Sequence, residues 1–273
     1  MKKRVLTLLF AHFICFGQNQ EDLIYKSAVE KYDSNDLNGA ISDFTKVLEL
    51  NPNNWDAYYN RALIKRDLKD INGAIADFNN AINKNPNFLE AYINRGILKD
   101  KLKDYKGAIE DYNKTIEIDS KLTKGYINRG IAFYRLRNFK SAIIDYSKAI
   151  EFNTQDINSY INRGILRDKL KDLEGAVYDF TKAIEIKSDY PRIYTLRAIS
   201  RLDLKDFEGA IADHAKVIEM KPNYAEAYAD RGISQEFLGN LKAACDDWKI
   251  AAKLGYENAF DWVELQCESE INN

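Results

Sequence analysis

The sequence predicts an all-α fold: an α-solenoid of seven helix-turn-helix repeats followed by a C-terminal capping helix. A phrase of Tyr-x-Asn-Arg followed by Gly or Ala recurs every 34 residues, beginning at Tyr58, Tyr92, Tyr126 and Tyr160. An alanine recurs at the same period, at Ala40, Ala74, Ala108, Ala142, Ala176, Ala210 and Ala244. A fixed period of this length indicates stacked repeats, each of which is too small to bury its apolar face alone.

The N-terminal segment differs in composition from the rest of the chain. Three basic residues precede an apolar stretch from Val5 to Phe16, and Gly17 is followed by polar residues. This order is typical of a secretory signal peptide. We therefore expect residues 1–17 to be removed on export, which leaves a periplasmic or secreted chain without a membrane span. A signal that is retained as an anchor is the alternative.

Each repeat contains two helical patterns joined by a tight turn. In the third repeat, for example, residues 90–102 and 105–118 have helical patterns on either side of Lys103 and Asp104. The seven predicted repeats are residues 21–54, 55–88, 89–122, 123–156, 157–190, 191–224 and 225–258.

The turn of every repeat carries an aspartate or asparagine. Such a side chain accepts hydrogen bonds from the free N–H groups at the start of the following helix. We therefore predict that each second helix has its own N-cap, at Asp36, Asp70, Asp104, Asn138, Asp172, Asp206 and Asn240.

Small and aromatic residues form periodic columns. The first helices carry a small residue where two helices must approach closely, at Ala28, Ala62, Gly96, Gly130, Gly164, Ala198 and Gly232. The second helices carry a mostly aromatic column, at Phe44, Phe78, Tyr112, Tyr146, Phe180, His214 and Trp248. We expect this column to fill the core. Because His214 occupies an aromatic position, we interpret it as a core residue rather than a ligand.

These columns resemble those of the tetratricopeptide repeat family, a 34-residue helix-turn-helix with small, small, aromatic and proline columns in this order. The resemblance covers nearly all of the chain after residue 17, and it implies a right-handed solenoid that binds proteins. The chain departs from the family pattern where arginines replace the usual leucine, at Arg61, Arg95, Arg129, Arg163, Arg197 and Arg231.

Seven aspartates recur at the same period, at Asp43, Asp77, Asp111, Asp145, Asp179, Asp213 and Asp247. Antiparallel helix geometry brings them near the arginines, so we predict a ladder of structural Arg–Asp pairs. Equivalent carboxylates in every repeat suit stacking rather than a single reaction centre.

After residue 258 the period stops, and residues 259–270 are predicted to form the capping helix. We expect its apolar residues to cover the last repeat, namely Phe260, Trp262, Val263 and Leu265. Cys245 and Cys267 should lie at similar heights on two antiparallel helices, and in an exported chain this suggests a disulfide. Two buried free thiols are the alternative. The closing sequence also resembles the last repeat of exported bacterial members of the family.

The resemblance implies that the first helices line a concave groove. The asparagines that precede the first four of these arginines are similar to the asparagine ladder with which glycosyltransferase members of the family hold peptide backbones. An amide offers both a donor and an acceptor to a peptide unit. The predicted peptide-binding residues are Asn60, Asn94, Asn128, Asn162, Tyr59, Ile93, Ile97, Ile127, Ile131, Ile161, Ile165 and Lys124.

The alternative for the asparagines is that they form hydrogen bonds along their own helices or to neighbouring repeats. The column ends after the fifth repeat, because Leu196 and Asp230 take the place of asparagine. A bound peptide is therefore expected across the second to fifth repeats.

Other functions find little support in the sequence. The 40 basic and 42 acidic residues are scattered along every repeat, so we do not expect a nucleic-acid partner. With one histidine after residue 17 and no close cysteine pair, we expect neither a metal nor a cofactor. The sequence predicts a non-enzymatic scaffold that binds an extended peptide or a partner protein. The alternative is a structural or self-assembling envelope scaffold that uses its convex or terminal surfaces.

Overall fold

The computed structural model describes residues 20–267, which form helices and turns without a strand. The chain divides into two compact units, residues 1–137 and 138–273, and each is described by itself. The division falls in the turn of the predicted fourth repeat. The predicted signal peptide, residues 1–17, and residues 268–270 of the predicted capping helix lie outside the described residues.

The N-terminal unit contains seven helices among its described residues. The first, α1, is described over residues 20–33. It is followed by α2 (Leu37–Leu50), α3 (Trp55–Asp67), α4 (Ile71–Lys84), α5 (Leu89–Lys101), α6 (Tyr105–Ile118) and α7 (Thr123–Arg135).

The C-terminal unit continues with the same alternation of helices. Its helices are α8 (Phe139–Phe152), α9 (Ile157–Lys169), α10 (Leu173–Ile186), α11 (Pro191–Asp203), α12 (Phe207–Met220), α13 (Ala225–Phe237), α14 (Leu241–Lys253) and α15 (Glu257–Trp262), and the last leads into a π-helical turn, Val263–Cys267. Within each unit, the two helices of a repeat pack together, and each second helix also packs against the first helix of the next repeat.

The predicted N-caps explain where most second helices begin. The side chains of Asp36, Asp70, Asp104, Asn138, Asp172 and Asp206 each accept a hydrogen bond from the backbone N–H three residues later. The prediction is wrong for Asn240, which makes no such bond. Its amide nitrogen instead donates to the side-chain oxygen of Gln235, over 3.1 Å.

The turn between the two helices requires a left-handed residue that the sequence did not reveal. Asn35, Lys69, Lys103, Arg137, Lys171 and Lys205 have φ between 58° and 65°, and Gly239 has φ 79°. In the third repeat, the N–H of Asp104 reaches the carbonyl of Lys99, and the N–H of Lys103 reaches that of Asp100. This pair of bonds is a Schellman motif, which satisfies the last carbonyls of α5.

The core is a series of clusters around the aromatic column. Phe44, Phe78, Tyr112, Tyr146, Phe180, His214 and Trp248 are all at most 2% exposed, as predicted. The small residues opposite them are needed for space. A Cβ on Gly164 would lie 2.8 Å from the ring of Phe180, and one on Gly232 would lie 2.4 Å from that of Trp248. Because real Cβ contacts are longer, neither ring could keep its position if the glycine were replaced.

The capping helix begins two residues earlier than predicted, at Glu257. Trp262 packs on Trp248, with ring centroids 5.5 Å apart. Val263 packs against the same buried cluster of the last repeat, which contains Trp248 and Cys245. The prediction is wrong for Phe260 and Leu265, which are 57% and 76% exposed. The helix therefore covers the last repeat with one face and presents these two apolar side chains to solvent.

Candidate functional site

The predicted Arg–Asp ladder forms in the second, third, fifth, sixth and seventh repeats. In each, the arginine Nε lies 2.8–3.0 Å from one carboxylate oxygen of the aspartate, and Nη2 lies 2.5–2.7 Å from the other. The pairs are Arg61–Asp77, Arg95–Asp111, Arg163–Asp179, Arg197–Asp213 and Arg231–Asp247. Two parallel bonds of this kind fix the geometry as well as the charge.

Five arginines of this column also connect neighbouring repeats. Nη1 donates to a side-chain oxygen on the second helix of the preceding repeat, over 2.7–3.0 Å. The acceptors are Thr45, Asn79, Asn113, Ser147 and Thr181, for Arg61, Arg95, Arg129, Arg163 and Arg197. Each guanidinium also lies 5.4–5.8 Å from the ring of the tyrosine three residues earlier. The arginines thus hold the carboxylate of their own repeat and link that repeat to the preceding one.

The first repeat has no arginine in this column, because Ser27 occupies the position. Asp43 instead accepts hydrogen bonds from Ser27, Lys31 and Lys46. These bonds hold the pKa of Asp43 well below its usual range. The carboxylate is therefore charged and satisfied even where the arginine is missing.

The asparagine column is partly occupied by the protein itself. The amide nitrogen of Asn60 donates to the hydroxyl of Tyr25, over 2.7 Å, and to the carbonyl of Asp56, over 3.0 Å. Tyr25 in turn donates to the carboxylate of Asp56. Burial raises the pKa of Tyr25, and the hydrogen bond to the Asp56 carboxylate raises it further. The phenol therefore remains a neutral donor.

Asn94 is bound in the same way in the next repeat. Its amide nitrogen donates to the hydroxyl of Tyr59, over 3.3 Å, and to the carbonyl of Glu90, over 2.9 Å. Its oxygen accepts a hydrogen bond of 3.1 Å from Arg66. At Asn60 and Asn94, therefore, the amide nitrogen is bonded both to its own helix and to the preceding repeat, as the alternative interpretation expected.

Asn128 differs from these two residues. Its amide nitrogen is buried and has no hydrogen-bond partner among residues 20–267. The position that Tyr25 and Tyr59 occupy in the two earlier repeats is filled here by Ile93. The phenol that satisfies Asn60 and Asn94 is therefore missing for Asn128, and this difference is visible in the sequence.

The other predicted groove residues differ in exposure. Ile93 and Ile161 are only 5% and 8% exposed, so they are mainly core residues. Lys124 is exposed, and the remaining predicted residues are partly exposed, namely Tyr59, Ile97, Ile127, Ile131, Asn162 and Ile165. We call the partly exposed side of the first helices in the N-terminal unit, with Asn60, Asn94 and Asn128, the asparagine face.

In the C-terminal unit, burial is the main cause of the shifted pKa values of Asp230 and His214. Burial, followed by the nearby charge of Glu226, raises the pKa of Asp230 to about 6. Burial, followed by the charge of Arg231, lowers the pKa of His214 to about 4. His214 is fully buried, as expected for a core residue, and neither ring nitrogen has a hydrogen-bond partner among the described residues.

Comparison with known proteins decides the family. Models of the tetratricopeptide repeat match residues 44–76, 89–122, 123–156 and 157–190. The chain is a tetratricopeptide-repeat protein. Proteins with these repeats generally mediate protein–protein interactions. No curated protein matches the chain.

Solved structures of other tetratricopeptide-repeat proteins share the fold. One from Parabacteroides merdae is 20% identical, over 91% of this chain and 99% of that chain, with a TM-score of 0.62. The C-terminal part of one from Cytophaga hutchinsonii is 22% identical, over 87% and 98%, with a TM-score of 0.73. YrrB, described as having an unusual peptide-binding site, is 20% identical, over 69% and 98%, with a TM-score of 0.62. At these identities, the likeness shows the fold alone.

The C-terminal end of this tetratricopeptide-repeat protein is covalently closed. Cys245 on α14 and Cys267 at the end of the π-helical turn form a disulfide, with Cα atoms 5.6 Å apart. Both residues are 3% exposed. Next to them, an open cavity of about 440 Å³, which the sequence did not indicate, is lined by Lys249, Ala252, Lys253, Phe260, Val263 and Glu264.

Residues 20–267 contain no cluster of three or more His, Cys, Asp or Glu side chains that could hold a metal ion. None of the helices in this range combines the length and the hydropathy needed to span a membrane.

Proposed function

We propose that this protein binds an extended segment of another protein along the asparagine face. The observation that carries the proposal is the unpaired amide of Asn128, in a column whose two earlier members are satisfied by tyrosines. A buried donor without a partner costs about 1–3 kcal/mol. If the side chain rotates to meet a peptide carbonyl, binding recovers this energy.

The surroundings of Asn128 suit an extended peptide. Lys124 lies one helical turn earlier and is exposed, and Ile97 and Ile131 offer partly exposed apolar surface on α5 and α7. One hydrogen bond contributes about 1 kcal/mol net, whereas micromolar affinity corresponds to about 8 kcal/mol, so the isoleucines must supply much of the rest. The proposed site is thus narrower than the ladder expected from the sequence.

Selection of peptides against the purified chain tests this proposal. A displayed library of random peptides is selected on the wild type, and the dissociation constant of the best peptide is measured by fluorescence anisotropy. We expect Asn128→Ala and Ile131→Ala to weaken binding about tenfold each. Lys205→Glu, at an exposed turn, is the matched control and should leave binding unchanged. Equal affinity for all four proteins would reject the asparagine face as the binding site.

We also propose that the protein is exported and works in an oxidising compartment. The disulfide between Cys245 and Cys267 supports this, because such bonds persist outside the cytosol. The intact mass of the protein recovered from the envelope or the medium should correspond to a chain that begins after residue 17. A cytosolic protein with its first residues retained would contradict this proposal.

A structural scaffold is the second candidate function. Ile144 and Tyr178, at equivalent positions of α8 and α10, are 63% and 54% exposed, and large exposed apolar side chains are often interaction sites. In a self-assembling scaffold, Ile144→Lys should lower the mass measured by light scattering. A chain that is monomeric at all concentrations would exclude this function.

A further inference from the structure

A group of cations is brought together by the turns of the third and fourth repeats. Lys101 ends α5, Lys103 is the left-handed turn residue, and Lys106 lies in the first turn of α6. Arg137 is the left-handed residue that follows α7. All four are exposed. None of them has an ion-pair partner elsewhere in residues 20–267. We call these four residues the basic turn patch.

The contacts of Arg135 show that the two turns lie side by side. Its Nε is 3.3 Å from a carboxylate oxygen of Asp100, on α5, and its guanidinium carbon is 6.0 Å from the ring centroid of Tyr105, at the start of α6. The end of α7 therefore lies against the turn between α5 and α6. Residues that are 34 positions apart in the sequence, such as Lys103 and Arg137, thus belong to one surface.

Apolar side chains lie within the same surface. Leu102 and Leu136, each directly before a left-handed residue, are 51% and 40% exposed. A phosphate backbone gains nothing from such leucines, whereas a protein segment with apolar side chains does.

The start of α6 is also closed to a phosphate group. The carboxylate of Asp104 already accepts the hydrogen bond of the Gly107 N–H, over 3.0 Å. A helix N-terminus binds phosphate through free N–H groups, and here a negative charge occupies that position. The patch therefore favours a protein partner over a nucleic acid.

We propose that the basic turn patch binds an acidic segment of another protein, in which carboxylates alternate with apolar side chains. The carboxylates would pair with the four cations, and the apolar side chains would cover Leu102 and Leu136. This surface is separate from the asparagine face, so the proposal stands whether or not that face binds a peptide. Because the charges are exposed, they should act mainly on the association rate and make binding sensitive to salt.

Equivalent turns in other repeats are less basic. The fifth repeat has Lys169 and Lys171, but Lys171 is paired with Asp203, and Glu174 takes the place of Lys106. In the second repeat, Lys69 stands between Asp67 and Asp70. In the sixth repeat, Lys205 stands between Asp203 and Asp206. Lys205 therefore has the same backbone conformation as Lys103 in an acidic setting, and it provides a matched control.

The experiment measures anisotropy with three labelled probes: a peptide of alternating Glu and Leu, a peptide of Glu and Ser, and a short DNA duplex. The wild type should bind the Glu-Leu peptide most tightly, and more weakly at higher salt. Charge reversal in Lys101→Glu with Lys103→Glu and Arg137→Glu should weaken this binding at least tenfold. Lys205→Glu should change it less than twofold.

Three results would overturn the proposal. The first is unchanged binding by the triple variant, whose fold is verified by circular dichroism. The second is tighter binding of the DNA duplex than of the Glu-Leu peptide. The third is equal affinity for the Glu-Leu and Glu-Ser peptides, since it would remove the role of Leu102 and Leu136. A second variant, Leu102→Ser with Leu136→Ser, tests the same role by changing the protein instead of the peptide, and it should weaken binding of the Glu-Leu peptide.

Discussion

Arg231 donates two hydrogen bonds to the carboxylate of Asp247, over 2.8 and 2.7 Å, and Asp247 is only 5% exposed. In other repeats, the aspartate has a second cation nearby, such as Arg201 beside Asp213. The seventh repeat has Gln235 at that position. The pair between Arg231 and Asp247 is therefore the simplest place to measure what the ladder contributes.

Asp247→Ala should lower the free energy of unfolding by about 3 kcal/mol, because it leaves the partly buried guanidinium of Arg231 without its partner. Replacement of both residues by leucine should bring stability back to within about 1 kcal/mol of the wild type, since no charge then remains buried. Urea unfolding at neutral pH measures both effects. Equal losses in the single and the double variant would mean that side-chain packing, not charge pairing, is what the pair contributes.

Acid should destabilise the protein through His214. The unfolded chain takes up the proton near the ordinary pKa of 6.5, whereas the folded chain resists protonation until about pH 4. The stability that the neutral ring contributes is thus complete above about pH 6.5 and is lost as the pH falls through this window. The loss reaches about 2 kcal/mol at pH 5.

His214→Phe isolates this effect, because phenylalanine fills the same position in Phe44, Phe78 and Phe180. Asp230, whose pKa is raised to about 6, acts in the opposite direction in both proteins, since acid relieves its buried charge. The difference in unfolding free energy between variant and wild type should therefore increase from pH 8 to pH 5. A constant difference over this range would show that His214 does not titrate on unfolding.

The N-caps allow a test with a built-in control. Asp206 accepts a hydrogen bond of 3.0 Å from the N–H of Gly209, whereas Asn240 caps nothing. Asp206→Ala should therefore lower the thermal unfolding midpoint, with a loss of about 1 kcal/mol, and Asn240→Ala should have little effect. Similar losses in both variants would contradict the capping assignment.

The disulfide should stabilise the C-terminal end. It closes a loop with a sequence separation of 22 residues, for which the loss of chain entropy in the unfolded state predicts about 3 kcal/mol. Cys245→Ala with Cys267→Ala should lower the denaturation midpoint by a corresponding amount. A reducing agent should have the same effect on the wild type and none on the double variant. Insensitivity of the wild type to reduction under denaturing conditions would rule out the bond.

Periodicity explains why so much of the fold could be predicted. A residue type that recurs every 34 positions shows the column to which it belongs, and this identified the aromatic core, the small residues and the Arg–Asp pairs. The left-handed turn residues could not be predicted from the sequence, because five of them are Lys or Arg, whereas glycine is usual in that conformation. The N-cap predicted at Asn240 was wrong because a residue type that can cap a helix does not specify its own side-chain rotamer.

The candidate site was less predictable for a physical reason. The asparagines share a column, but what each amide does depends on a residue 35 positions earlier, as Tyr25 does for Asn60 and Tyr59 for Asn94. The basic turn patch likewise depends on which charges become neighbours across two repeats. The repeated residues specify the scaffold, whereas the proposed binding surfaces depend on residues that differ between repeats at equivalent positions.

The link from five of the six arginines to the preceding repeat also bears on how such a chain can evolve. Threonine, asparagine and serine all serve as the acceptor, at Thr45, Asn79 and Ser147 for example. A duplicated module placed after a repeat with such an acceptor would thus meet a compatible neighbour, whereas Ala215 of the sixth repeat offers no acceptor to Arg231. Genetic recombination that joins repeats with such acceptors can therefore lengthen or shorten the array while this link between repeats is kept.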